Sequence, residues 1–344
     1  MSQIELRTAP HVHATRSVET IMFNVVLALL PLCLFSVCQY GVSSAVLILT
    51  VTATCLGVER VFSSKLGYGN TLGDWSATIT GILLALTLPP NFPLWMGVVA
   101  GVASMLLGKV IFGGLGHNPF NPALVGRAFV QAAFPSTIAS FIPAYAPQRF
   151  VEFAPSTLTL PFMMPTDNAA WIKAAGIDAF TGATPLARWK FENFTYTAYD
   201  FLNGAVTASA GETSAILILL CGAYLAARRF MDWRIPVAVL GSAALVAWGF
   251  QLYNPAYYPS PAFVLLSGGL MLGAVFMATD MATSPVTPMG IWIYGALIGV
   301  LSIVIRYFGG LTEGVMYAIL ISNAASPLIE KFTQPRAYGV GKKS

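Results

Sequence analysis

Charge is what this chain is shortest of. Only 9% of its 344 residues are Asp, Glu, Lys or Arg, while 56% are hydrophobic; an ordinary soluble domain carries about 25% charged residues. A soluble fold this poor in charge would expose apolar patches far beyond a few hundred Å². A water-soluble globule is therefore excluded, and an integral membrane protein is implied. The formal net charge is only +4, and Lys and Arg gather in short connections, so there is no basic face for nucleic acid. Cysteine and histidine are scarce as well. Cys33, Cys38, Cys55 and Cys221 form no C-x-x-C pair, which argues against iron-sulfur or zinc ligation by this chain alone and reads them as small buried hydrophobes. Of the three histidines, His11 and His13 lie in the polar N-terminal segment and His117 stands by itself, so neither a metal centre nor a Ser-His nucleophile is expected. Neither a P-loop nor a dinucleotide glycine fingerprint occurs.

What is present is apolar run after apolar run. At about 20 residues per span, the candidates are Met22–Tyr40, Ser43–Val58, Trp75–Leu88, Leu94–Phe112, Phe120–Phe134, Ser214–Arg228, Ile235–Leu252, Ala262–Thr279, Met289–Tyr307 and Gly314–Ile329. The expectation is an all-α polytopic membrane protein of about ten transmembrane helices, with the short spans tilted, broken or re-entrant. The first run lacks an A-x-A cleavage site and is read as retained. Arg7, Arg16, Arg60, Lys65, Arg228, Arg229, Arg234, Lys331, Arg336, Lys342 and Lys343 all fall on one side if the N-terminus is cytoplasmic, whereas the connections near Val42, Asn91 and Asn254 to Ser260 contain no Lys or Arg. That is the positive-inside pattern; Arg306, near the outer end of the ninth span, is its exception. The chain then divides into a cytoplasmic N-terminal segment (1–21), a first transmembrane repeat (22–134), an external loop (135–213), a second transmembrane repeat (214–330) and a cytoplasmic C-terminal tail (331–344).

The word repeat rests on a faint likeness. Thr80–Gly114 and Gly273–Gly310 each hold a proline, a glycine-dotted span and then Phe-Gly-Gly, at Phe112-Gly113-Gly114 and Phe308-Gly309-Gly310. Five spans on either side of an external loop put the halves in opposite orientation, the inverted-repeat plan of many transporters; the other reading is that two glycine-rich helices look alike by chance. Asn118-Pro119 and Asn121-Pro122 mark a broken start of a half-helix, whose free N–H groups suit an anion, a flavin edge or an ion pathway, or which simply resets the next span. Asp280, Lys109, Arg127, Arg306 and Glu313 stand at or near span ends. Each is a candidate for ion conduction if it lies at membrane depth and a mere anchor if it lies at the interface.

The longest non-hydrophobic interval holds "DAFTGATPLA", Asp178 to Ala187. Asp178 and Thr181 favour local side-chain to backbone bonds, Gly182 permits positive φ, and Pro185 ends the turn. The expectation is that Thr184 presents its hydroxyl at the rim of a tight loop, exposed and free of any helix. Asp178-x-x-Thr181-Gly182-Ala183-Thr184 matches the pattern D-x-x-(S/T)-G-A-(T/S), on which flavin transferases attach FMN by a phosphodiester to the last Thr or Ser. Together with "FGGLGHNPFNPALVGRAF", "FMATDMATSPVTPMG" and "YAILISNAASPLIEKF", this motif makes the chain resemble the NqrB/RnfD family over nearly its whole length. With about 21 residues before the first span, it is most similar to the RnfD (RsxD) branch, a membrane component of Rnf complexes, because NqrB proteins typically carry a longer N-terminal extension.

The resemblance implies the following. Thr184 bears covalent FMN, and Asp178, Thr181, Gly182 and Ala183 form the sequence that a flavin transferase reads. A second, non-covalent flavin, riboflavin, sits between the helices, at residues the sequence does not identify. The chain is a translocase subunit without a complete active site of its own, set in lipid of the bacterial inner membrane with both termini cytoplasmic and the flavin loop periplasmic. It works with other membrane and peripheral Rnf subunits, passing electrons between a carrier such as ferredoxin and NAD with coupled Na⁺ or H⁺ movement. On the residues alone, a secondary transporter or channel without redox chemistry, or a structural anchor for flavoproteins, stands beside this reading.

Overall fold

The computed structural model describes residues 17–66, 71–175, 182–196, 201, 207–212 and 214–335, and every regular element among them is helical. Two long helices open it, α1 (Val18–Tyr40) and α2 (Val42–Leu66). Two short ones follow, α3 (Ser76–Thr87) and α4 (Leu94–Met105), the latter running on through a π-turn over Leu106–Val110. Then come α5 (Pro122–Ala133), α6 (Pro135–Ile138), α7 (Ala169–Ala174) and α8 (Pro185–Glu192). The chain closes with α9 (Ala215–Ala227), α10 (Arg234–Tyr253), α11 (Pro261–Leu266), α12 (Leu270–Leu272) with a π-turn over Gly273–Met277, α13 (Pro288–Phe308) and α14 (Val315–Thr333).

Among the described residues, four helices are long and apolar enough to cross a membrane: Val18–Tyr40, Val42–Ser64, Arg234–Tyr253 and Pro288–Phe308. Several expected spans come out differently. Trp75–Leu88 and Phe120–Phe134 are helices of 12 residues each, about 18 Å at 1.5 Å per residue and short of a bilayer core of about 30 Å. Ala262–Thr279 breaks at Ser267–Gly269. These breaks are written in the sequence. Asn121, Ser260 and Thr287 each cap a helix whose first residue is proline, their side chains accepting from the N–H groups of Ala123, Phe263 and Gly290. A capping oxygen serves one orphan donor and proline at the first position needs none. Leu34, Leu49 and Leu245, each about two-thirds exposed, face outward from long helices, as lipid contact requires.

Packing falls into two similar sets. α2 packs on α3 and α4, and α4 on α5; α10 packs on α11 and α13, and α13 on α14. The sets meet through α1 with α9 and through α5 with α14. Their Phe-Gly-Gly ends nevertheless differ: Gly113 and Gly114 have φ near +102° and +103°, whereas Gly309 is extended at φ −74°. The described parts of the interval 135–213 fold back on the bundle as a cap. Ile142, Ala146, Ala154 and Trp171 bury against Tyr40, whose hydroxyl donates to the Ala208 carbonyl at 3.1 Å. The strip ending at Glu212 returns to the bundle, where the N–H groups of Ala210 and Gly211 bond the carbonyls of Leu88 and Leu86 at 3.1 and 2.7 Å.

The tightest contact between long helices is α10 against α13, through Gly295-x-x-x-Gly299. A Cβ at Gly299 would collide with the Val239 carbonyl oxygen and lie 2.9 Å from the Ala243 nitrogen, and one at Gly295 would lie 2.5 Å from the Ala238 Cβ. Small residues at this spacing let helix backbones approach where no hydrophobic effect drives association. Gly299→Leu should therefore cost roughly 1–3 kcal/mol or more, read as a lowered apparent Tm of the detergent-solubilised protein.

Candidate functional site

Of the acceptor motif, Asp178 and Thr181 lie outside the described residues, while Gly182, Ala183 and Thr184 lead into α8. Thr184 is not an exposed rim hydroxyl. It is 8% exposed and caps α8, its Oγ1 accepting the Ala187 N–H at 3.3 Å. The reason is local: proline at the next position starts a helix, and threonine before it is a natural cap. Gly182, at φ +62°, supplies the turn that brings the chain in.

α8 itself is pinned down. Leu186 is 2% exposed, Trp189 packs on Tyr307, and its Nε1 donates to the Tyr257 carbonyl at 3.2 Å. The Lys190 ammonium donates to the carbonyls of Arg306, Gly309 and Leu311, closing the C-terminal end of α13. Burial holds that amine below its ordinary pKa.

A cavity of about 300 Å³ opens beside Thr184. Gly182, Ala183 and Phe191 line one side, Arg127 of α5 another, and Glu313 and Tyr317 a third. Arg127 Nη2 donates to Glu313 Oε2 at 3.4 Å. Behind it, three further groups meet at the break between α11 and α12. Gly268 sits there at φ +66°, where a Cβ would lie 2.6 Å from Leu186, 3.2 Å from Arg306 Nη2 and 3.2 Å from Glu313 Oε1. Only glycine fits such a crowded left-handed turn. Arg306 is 1% exposed and donates to the carbonyls of Val264 and Ser267 at 2.7 and 3.1 Å. It is thus no interfacial anchor but the cap of a half-helix inside the protein. Burial, and then the Glu313 carboxylate, push the Glu212 carboxyl well above the usual carboxylate range, against the pull of Arg127.

Lys109 and Asp280 belong to a second polar centre. Lys109, 3% exposed, is no span-end anchor either: it donates to both oxygens of Glu59 at 2.8 and 2.9 Å and to Ser76 Oγ at 2.6 Å. Asp280 accepts from the Ala282 N–H at 3.2 Å. Both line a small cavity of about 90 Å³ with Asn118, Asn121 and Thr279 among apolar walls. Asn121 also ties the two halves together, its Nδ2 donating to the Met277 carbonyl at 3.1 Å. Sequence reasoning passed over Glu59 and Glu212; a lone carboxylate inside the apolar run of α2 was the available signal for the first. Among the cysteines, Cys55 and Cys221 are buried as expected, Cys33 is half-buried and Cys38 is exposed. Among the described residues no cluster of His, Cys, Asp and Glu could hold a metal ion.

Comparison with known proteins agrees over the whole length. A profile of the family described as "NQR2, RnfD, RnfE family" matches residues 5–339. The chain is 38% identical to the D component of the Na(+)-translocating ferredoxin:NAD(+) oxidoreductase complex of Acetobacterium woodii, covering 98% of this chain and 96% of that one. It is 34% identical to the D component of the proton-translocating ferredoxin:NAD(+) oxidoreductase complex of Clostridium ljungdahlii, at 97% and 96% coverage. It is 36% identical to the D component of the ion-translocating oxidoreductase complex of Halorhodospira halophila, at 97% and 95%.

The Glu59–Lys109 pair has side chains only 5% and 4% exposed. Removing one partner leaves a charge buried alone, so Lys109→Met should destabilise by about 3–5 kcal/mol. The double variant Lys109→Met/Glu59→Gln should recover most of that loss, both read from apparent Tm in detergent.

Proposed function

Because the chain belongs to the NQR2, RnfD, RnfE family, we propose that it is the membrane subunit of a redox-driven ion-translocating electron transport complex, and that it carries FMN on Thr184. The observation that carries the flavin reading is the acceptor motif ending beside a cavity. Gly182, Ala183 and Thr184 line a space of about 300 Å³, at the lower end of the range for small-molecule pockets, and Phe191 and Tyr317 give it aromatic walls.

The residues present fit a phosphodiester-linked flavin. A phosphate joined to Thr184 Oγ1 would lie at the N-terminus of α8, where N–H groups and the helix dipole favour negative charge. Leu186, Trp189 and Lys190 hold that terminus in place. FMN supplies one- and two-electron chemistry; the chain supplies a fixed position, so electrons pass without diffusive rebinding. Two relatives are named for different ions, H⁺ and Na⁺, so family membership alone leaves the ion open.

The remaining architecture follows the same reading. The two packing sets are inverted repeats of five spans each, related through the α1–α9 and α5–α14 contacts. Their termini are cytoplasmic, and the cap bearing Thr184 is periplasmic, where a flavin transferase works. A second, non-covalent flavin needs more room than the cavity of about 90 Å³ lined by Asn118, Asn121 and Asp280 offers. Lipid faces the outward leucines, and the other subunits of the complex deliver and remove electrons.

Co-expressed with a flavin transferase, the wild-type chain should give a fluorescent band on a denaturing gel. Thr184→Ala should abolish the band and Thr184→Ser should keep it. A dark wild-type band overturns the flavin reading.

A further inference from the structure

The cavity beside Thr184 contains one cation with an unused donor. Arg127 is 7% exposed; its Nη2 reaches Glu313, but its Nη1 is buried and has no hydrogen-bond partner among the described residues. A buried donor left unmade costs about 1–3 kcal/mol, and more on a charged group. Such a group calls for an acceptor that the protein itself does not supply. Among the described residues, Arg127 is also the sole basic one lining this cavity.

We propose that Arg127 Nη1 is the donor facing the electron-rich pyrimidine edge of the flavin, N1 and the C2 carbonyl, and that its charge sets the flavin's midpoint potential. This rests on the reading that FMN is joined to Thr184. The phosphate already has its partner, since the covalent bond places it at the N-terminus of α8. The ring lies at the far end of a flexible ribityl chain, and it is the ring that reaches across the cavity to α5. Electrons delivered by the reductant of the assembled complex bring negative charge to N1 and the C2 oxygen. A fixed, buried cation stabilises that charge far more than it stabilises the neutral oxidised ring. Arg127 is therefore a positioning and potential-setting residue, and it transfers no electron or proton.

The test is a redox titration, followed by flavin absorbance, of the full-length chain purified from a host with active flavin transferase. Arg127→Gln should keep the fluorescent band while shifting the balance toward oxidised flavin at least tenfold, which reads as a midpoint lower by about 59 mV for one electron. Arg127→Lys keeps the charge without the planar fork and should shift the balance by less. Because Arg127→Gln leaves Glu313 without its cation, Arg127→Gln/Glu313→Gln removes both charges and should still titrate lower than wild type. Wild-type titrations in both glutamine variants, with fluorescence intact, overturn the proposal. Loss of the band in all the Arg127 variants beside a bright wild type also overturns it, placing Arg127 at the phosphate or at attachment. A dark wild type instead removes the Thr184 reading on which it rests.

Discussion

A helix that stops inside a membrane leaves carbonyls and N–H groups with no water to bond, and this structure is organised around satisfying them. The clearest case is Arg306, whose guanidinium closes α11 by donating to Val264 and Ser267. An unpaired buried carbonyl in lipid costs several kcal/mol, so the break between α11 and α12 depends on a cation arriving from α13. Lys190 does the same for the end of α13 itself, and Asn121 for the start of α5.

These caps also position the site. Lys190 lies six residues after Thr184, so the bond that finishes α13 also docks α8 and the acceptor hydroxyl. Gly268 brings Leu186, Arg306 and Glu313 to one point, and Glu313 in turn holds Arg127 at the edge of the cavity. Contacts thus run from a helix break in the second half, through Glu313, to a cation contributed by the first half.

How much of this could be read beforehand depends on the range of the interaction involved. Breaks written locally were legible where they were read, as at Asn121-Pro122; the same capping chemistry at Ser260-Pro261 and Thr287-Pro288 was passed over. Thr184 was legible as a motif but misjudged in exposure, because Pro185 makes it a helix cap and Leu186 and Trp189 dock that helix against the bundle. Partners distant in sequence were not legible. Nothing near Lys109 points to Glu59, 50 residues earlier, and Arg306 reads as an interfacial anchor until α11 is seen ending against it. The Phe-Gly-Gly triplets take different backbones, Gly113 and Gly114 at positive φ and Gly309 extended, so a shared triplet does not dictate a shared turn.

The central claim is that a buried helix cap on the outer side of this bundle is the attachment point of a flavin. Its most direct measurement is mass spectrometry of the peptide containing Thr184, taken from protein made in a host with active flavin transferase. The account predicts that this peptide carries one FMN through a phosphodiester localised by fragmentation to Thr184. Recovery of the peptide in unmodified form alone, or with FMN on another residue, would contradict it.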